Sequence, residues 1–279
     1  MIPEPVEASH AIEQLSSRPD DAIDLVEGLH WIGAYLRSDQ SIEDPHDAID
    51  ALANGVRERV VGVVDPGRRL EILCHYLGQE CGFRGNLEDY YDPANSYLDR
   101  VLERRTGVPI TLSVVYLEVA QRVGVELDAI SFPYHFLIAS REVEGVFLDP
   151  FHGGRVLTEE DCRAMLDRFT DGRIDFQPRF LEPVSVRDVL VRVTRNLKLV
   201  HVKRERFAEA IAAADLLLMW VPDAWREYHD RGLLHAQLEH WRHALDDLER
   251  YLKHDPCCSN RMLVEVELMK IRKELIKVN

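Results

Sequence analysis

Cysteine is scarce and follows no pattern in this chain: Cys74, Cys81, Cys162, Cys257 and Cys258 are odd in number and irregular in spacing, and no Cys-x-x-Cys occurs. That argues against a disulfide framework or a zinc ribbon, and reduced thiols in a cytosolic protein are the simplest account. Long apolar runs are missing as well, and nothing approaches the roughly 18 residues of a membrane-spanning helix. The opening MIPEPVEASHAIEQ carries acid where a secretory leader carries positive charge, so the expected location is the cytoplasm. Positive charge is in short supply: 34 Lys and Arg oppose 49 Asp and Glu, for a net charge of −15. Residues 1–60 hold thirteen acids against four Arg. Such a surface repels phosphate backbones and anionic lipid, so neither nucleic acid nor membrane is expected as a partner. Solubility accounts for most of the acid.

What is present is globular. The 279 residues are 46% apolar and 30% charged, enough for one large domain or two modest ones with proper cores. Residues 10–80 read as helices: Ala22, Ile23, Leu25, Val26, Leu29, Ile32 and Leu36 recur at helical spacing, as do Ala48, Ile49, Leu52, Val56, Val60 and Val61. Arg69 to Gly78 reads as a third, short helix ending at a Gly where a left-handed cap is easy. From residue 82 the texture changes, and Gly82, Gly85, Asn86, Pro93 and Asn95 mark a structured loop rich in Tyr and Asn.

Val108 to Val123 predicts a central buried helix, apolar almost all round, with Pro109 at its first position and Gly124 closing it. At 100° per residue, Thr111, Glu118 and Arg122 share one side; Pro109, Ser113 and Ala120 share the opposite, more deeply buried side. Three strands are expected next, over 127–132, 135–140 and 145–149, the last two forming an antiparallel hairpin through REVE. A turn near Glu142–Val143 sets His135 across from Asp149 or Pro150. Pro150–Gly154 (PFHGG) then reads as a turn, and Thr158-Glu-Glu-Asp161 opens another helix with a capping box.

Beyond Pro178 and Pro183 the sequence repeats itself. Phe207 and Trp241, Ala210 and Ala244, Ile211 and Leu245, and Pro222 and Pro256 are each 34 residues apart, the tetratricopeptide period. Gly232 stands where the first helix of a repeat needs a small residue, and the first copy departs from this with Lys198. Residues 261–278 read as an amphipathic capping helix. Two repeats are too few to stand alone, so they are expected to dock on the rest. The expected organisation is α+β over 1–183, a helical N-terminal segment and a central helix on a small antiparallel sheet, followed by an all-α repeat pair with its capping helix over 184–279.

His135 and Asp149 are the most suggestive pair, since a carboxylate can hold an imidazole in one tautomer and stabilise its protonated form. A nucleophile at the start of the packed helix would complete a triad, because that position lowers a thiol's pKa. Residues 86–162 resemble the transglutaminase-like superfamily of papain-like acyl-transfer enzymes and proteases. More closely, NSYLDRVLERRTGVPITLSVVYLEVAQRVGV, FPYHFLI and FLDPFHGG resemble the bacterial SirB-type family, which joins such a domain to C-terminal tetratricopeptide repeats. The resemblance spans roughly residues 70–260. It implies that His135 and Asp149 match the family's His and Asp, and that Gly107-Val108-Pro109 matches the Gly-x-Cys at the helix start. Pro109 thus stands at the nucleophile position and has no side chain that can attack a carbonyl.

Ser113, one turn further along the same face, is either a core hydroxyl bonded to a helix carbonyl or a displaced nucleophile. Thr111 is closer to the helix start but points to the other side; it is either a first-turn cap or a residue lining the cleft. Asn86, Asn95, Ser96, Arg104, Tyr134 and His152 are candidates to line the same cleft, with turn-and-cap roles as the alternative for the two Asn. The Tyr90–Tyr91 pair belongs to the same loop. His135, Asp149, His152 and Cys162 could together make a metal site, but their spacing matches no metal-binding motif, so no metal or cofactor is expected. His235, His240 and His243 read as exposed helix residues. The expected function is that of a non-catalytic, regulatory binder that takes a protein or peptide partner through its repeats. The alternative is a hydrolase or acyltransferase using His135–Asp149 with a displaced Ser.

Overall fold

The computed structural model describes residues 5–37, 39, 44–255 and 258–278. Cys257, and the Pro256 of the repeat pattern, lie outside the described residues. Four helices lead: α1 (Pro5–Ser16), α2 (Leu25–Leu36), α3 (Pro45–Val60) and α4 (Pro66–His75). Their starts are written locally. Asp24, Asp44 and Asp65 each accept a hydrogen bond from a backbone N–H of the first turn, and Pro45 and Pro66 occupy the first position of α3 and α4, where a missing N–H costs nothing.

Gly78 is not the expected cap. The chain passes through it in a π-helical turn, Tyr76–Glu80, and turns left-handed only at Gly82. Gly78 is required by proximity: a Cβ there would lie 2.1 Å from the carbonyl oxygen of Gly153.

The loop that follows contains more structure than its composition suggests. β1 (Arg84–Gly85) pairs in parallel with β2 (Thr106–Gly107), and between them lie a short helical turn, Pro93–Ser96, and α5 (Leu98–Arg104). Then comes α6 (Pro109–Arg122), with Pro109 at its first position and Gly124 left-handed beyond its end. Pro109, Ser113 and Ala120 are all buried, whereas the opposite side runs from fully buried Thr111 through Glu118 to a partly exposed Arg122, so the difference in depth is present only in the second half of the helix.

The antiparallel sheet runs β3 (Leu127–Ile130), β4 (Leu137–Ser140), β5 (Phe147–Asp149) and β6 (Arg155–Leu157) in sequence order. The hairpin register is Ile138 opposite Leu148 and Ala139 opposite Phe147, which centres the turn on Val143. The β4 and β5 strands are shorter than expected, and β6 uses the residues just after the PFHGG turn. α7 (Glu159–Thr170) begins with the predicted capping box of Thr158 and Asp161.

The remaining helices are α8 (Val186–Lys203), α9 (Phe207–Trp220), α10 (Trp225–Gln237), α11 (Trp241–His254) and α12 (Arg261–Val278). α9 and α11 begin and end 34 residues apart, as the repeat period requires. At Gly232 a Cβ would sit 2.9 Å from Leu248, so the close packing of α10 on α11 depends on it. Lys198, at the equivalent place in α8, instead turns its ammonium to Glu227 and to Asp230 at 2.7 Å, which explains why that copy can depart from the small residue. The repeats do not stand off from the rest. Val189, Leu190, Val193, Leu197, Leu216 and Leu217 share one hydrophobic core with α2, α5 and α6. Among the described residues no helix is long and apolar enough to cross a membrane.

Candidate functional site

The site forms where the end of β5 meets the turn before β4. Asp149 precedes Pro150, and its carboxylate does two local jobs typical of such a pair: it ends the strand and accepts from the Phe151 N–H at 3.1 Å. The same oxygen, Oδ1, accepts from His135 Nε2 at 2.9 Å, and Oδ2 accepts from His152 Nδ1 at 2.6 Å. Asp149 is 1% exposed and His135 5%. Burial by itself would raise the Asp149 pKa, but the hydrogen bonds and charge of His135 and then of His152 outweigh it, and the carboxyl is held below its ordinary value.

The turn that delivers His135 is braced from below. Tyr134 takes a left-handed backbone, φ 61°, which is unusual for a bulky residue, and its ring is exposed. Arg192, on α8, donates to the Phe132 carbonyl at 3.0 Å, the His135 carbonyl at 2.5 Å and the Ser131 hydroxyl. Burial pulls its pKa down. Arg192 had no sequence signal, because it lies in the repeat region and acts across 57 residues of chain.

Around His135 the walls are aromatic. Phe151 meets the imidazole edge-on at 5.9 Å, Phe169 lies at 5.8 Å, and Tyr90 packs on Phe151 at 6.0 Å. Phe151 can lie this low because it rests on Gly85, where a Cβ would come within 2.4 Å of the ring. Tyr90 and Phe169 remain partly exposed, so the rim of the site is aromatic.

The other predicted residues fall elsewhere. Thr111 donates to the Asn95 carbonyl at 2.7 Å and to the Val108 carbonyl at 3.1 Å. Asn86 donates to the Asn95 side chain at 3.0 Å, and Asn95 donates to the Asp89 and Tyr90 carbonyls at 2.8 and 3.2 Å. These three brace the loop that carries Tyr90. Arg104 pairs with Asp92 at 2.7 Å. Pro109 is buried in the first turn of α6.

Ser96 and Ser113 are buried with no hydrogen-bond partner at their hydroxyls, so Ser113 does not make the helix-carbonyl bond that Thr194 and Thr170 make. Among the described residues no hydroxyl or thiol is hydrogen-bonded to His135. Burial, ahead of nearby carboxylates, pushes the Cys74 and Cys162 thiols up to about 12, far from a reactive thiolate.

His135, Asp149 and His152 place one donor atom each within 4.8 Å of one another, a set chemically able to hold a divalent ion. Cys162 is not part of it. A separate depression of about 730 Å³, lined by Asp24, Glu118, Gln121, Glu126 and Arg141 among others, touches none of these three residues.

A buried His–Asp pair on an antiparallel hairpin behind a central helix, joined to helical repeats, is a transglutaminase-like domain with a tetratricopeptide region. Comparison with known families agrees. Residues 43–195 match the transglutaminase-like superfamily and residues 197–269 the tetratricopeptide repeat. A UPF0162 protein of Xylella fastidiosa is 40% identical over 215 residues, 76% of each chain. A UPF0162 protein of Vibrio cholerae is 30% identical over 239 residues, covering 85% of this chain and 88% of that one. The chain belongs to this UPF0162, or SirB-type, family. Human F-box only protein 21 is 29% identical over 241 residues, 74% of this chain but 37% of that longer protein. No solved structure matches the chain.

Proposed function

We propose that the protein is a non-catalytic member of the transglutaminase-like superfamily that binds protein segments. The observation that carries this reading is Pro109 in the first turn of α6, at the place the family resemblance gives to the nucleophile. A His135 bonded to Asp149, with no hydroxyl or thiol hydrogen-bonded to it among the described residues, supports the same reading. What remains is a recognition site: two histidines tied to one carboxylate, beside an aromatic rim of Tyr90 and Phe169. It suits an extended peptide, whose amides can hydrogen-bond the histidines while an apolar side chain rests on the rim. The repeats add a second surface for a protein partner.

The competing reading is acyl transfer by a displaced Ser113, favoured only by that hydroxyl's lack of a partner and opposed by its complete burial. The test is covalent labelling with serine- and cysteine-reactive acylating probes, the modified residue being mapped by mass spectrometry. No labelling that depends on His135 is the expected result. Labelling of one cleft hydroxyl, abolished in His135→Ala, overturns the binding-only reading and names the nucleophile.

A further inference from the structure

The outward face of α12 carries a second hydrophobic seam. Its inward face is ordinary: Val264, Leu268, Ile271 and Leu275 step by four, three and four residues and pack against α11. On the other side Met262, Val266, Met269, Lys273 and Ile276 step by four, three, four and three, the heptad spacing of a coiled-coil seam. The four apolar members are 79%, 45%, 60% and 78% exposed. Among the described residues nothing covers this face, and an apolar stripe this regular calls for an occupant.

The charges beside the stripe indicate which occupant fits. In heptad terms Glu265 and Arg272 flank it on one edge, and Leu263, Lys270 and Lys277 on the other. Two copies of α12 lying antiparallel, with Val266 opposite the partner's Met269 and Met262 opposite the partner's Lys273, bring Glu265 beside the partner's Arg272. Two-fold symmetry makes that pair twice. The other edge sets Leu263 along the methylenes of the partner's Lys270. A parallel pairing instead stacks Lys273 on its own copy in the seam, and its edges set Glu265 beside the partner's Lys270, an attraction, but Arg272 beside the partner's Lys277, a repulsion that offsets it. Beside the stripe, α11 and α12 leave a groove of about 540 Å³ lined by Glu249, Leu252, Lys253, Glu265, Met269 and Arg272.

We infer that the protein self-associates through α12, antiparallel and two-fold symmetric, with Val266 and Met269 at its centre and Glu265–Arg272 pairs at its edges. The stripe is short, so a dissociation constant on the order of 1–50 µM is expected.

The test is sedimentation velocity of the full chain across that concentration range. Met269→Glu is expected to weaken association by at least about tenfold, since a central apolar contact is replaced by charge. Val266→Lys is expected to do the same. Thermal unfolding of each variant checks folding, which exposed positions should preserve. Glu265→Arg alone and Arg272→Glu alone should each weaken the dimer, and the double swap should restore much of it. A wild-type chain that stays monomeric up to about 0.5 mM, or a dimer indifferent to both Met269→Glu and Val266→Lys, overturns the interface. A double swap no better than the single changes overturns the antiparallel pairing.

Discussion

Asp149 has two roles, and only one can be read from its neighbours in sequence. Among the described residues Asp-Pro occurs four times, at Asp44, Asp65, Asp92 and Asp149, and each time the carboxylate caps a helical turn that begins at the Pro. Asp149 alone also receives two imidazoles. Because its pKa is depressed in the folded protein, the stability it contributes is present above the unfolded value of about 4 and is lost as the pH falls through the folded value. Asp149→Asn removes the charge and offers one acceptor oxygen to three donors. It should destabilise by about 2–4 kcal/mol near neutral pH, measured by urea unfolding. The gap between variant and wild type should shrink as the pH falls below about 4, and a gap that widens there would contradict the assigned shift.

The turn between α10 and α11 is more than two exposed helix ends. His235 Nδ1 lies 3.3 Å from His240 Nδ1, and the rings of His235 and His243 stack at 5.0 Å. Burial, then the proximity of His243, Arg231 and His240, lowers the His235 pKa to about 4 in spite of Asp247. A histidine depressed in the folded state takes up its proton more readily when unfolded, so this turn loses stability as the pH falls from about 6.5 towards about 4. His235→Gln should flatten the melting temperature against pH in that window relative to wild type. Equal slopes in the two proteins would remove His235 as the cause. Sequence spacing allowed a shared face for His240 and His243, but the half-buried His235 comes from the preceding helix, and only close packing of α10 on α11 brings it there.

At the level of the molecule, the feature that matters most is the shared core. Leu190 packs so tightly on α2 that a Cβ at Gly28 would come within 2.7 Å of it. Arg192 of the same helix holds the turn that presents His135. The repeat region thus completes both the hydrophobic core and the scaffold of the site. A chain cut to residues 1–183 loses Val189, Leu190, Val193, Leu197 and the α9 residues beneath α1 and α2. It should not fold cooperatively, judged by loss of a sharp thermal transition and by dye binding to exposed apolar surface. A cooperative, native-like 1–183 would show that the two parts are energetically separate.

Much of this was legible from spacing alone. Helical periodicity, Asp-Pro starts, the capping box at Thr158 and the period of 34 rest on interactions a few residues apart or on repeats of one local rule, and the His135–Asp149 pairing on a single short hairpin, all of which a linear pattern can record. His152 as the second imidazole, the roles of Asn86, Asn95 and Thr111 as a brace, the need for Gly78, and Arg192 beneath the site were not legible. Gly78 and Arg192 depend on groups brought together from tens of residues away, and the others on the exact path of an irregular loop or turn, where one methyl group or one hydrogen bond decides the outcome. Local chemistry chose the elements and one pair of the site. The packing of α8 and the PFHGG turn against those elements decided what surrounds that pair, because burial and close approach are properties of the assembled core and have no counterpart along the chain.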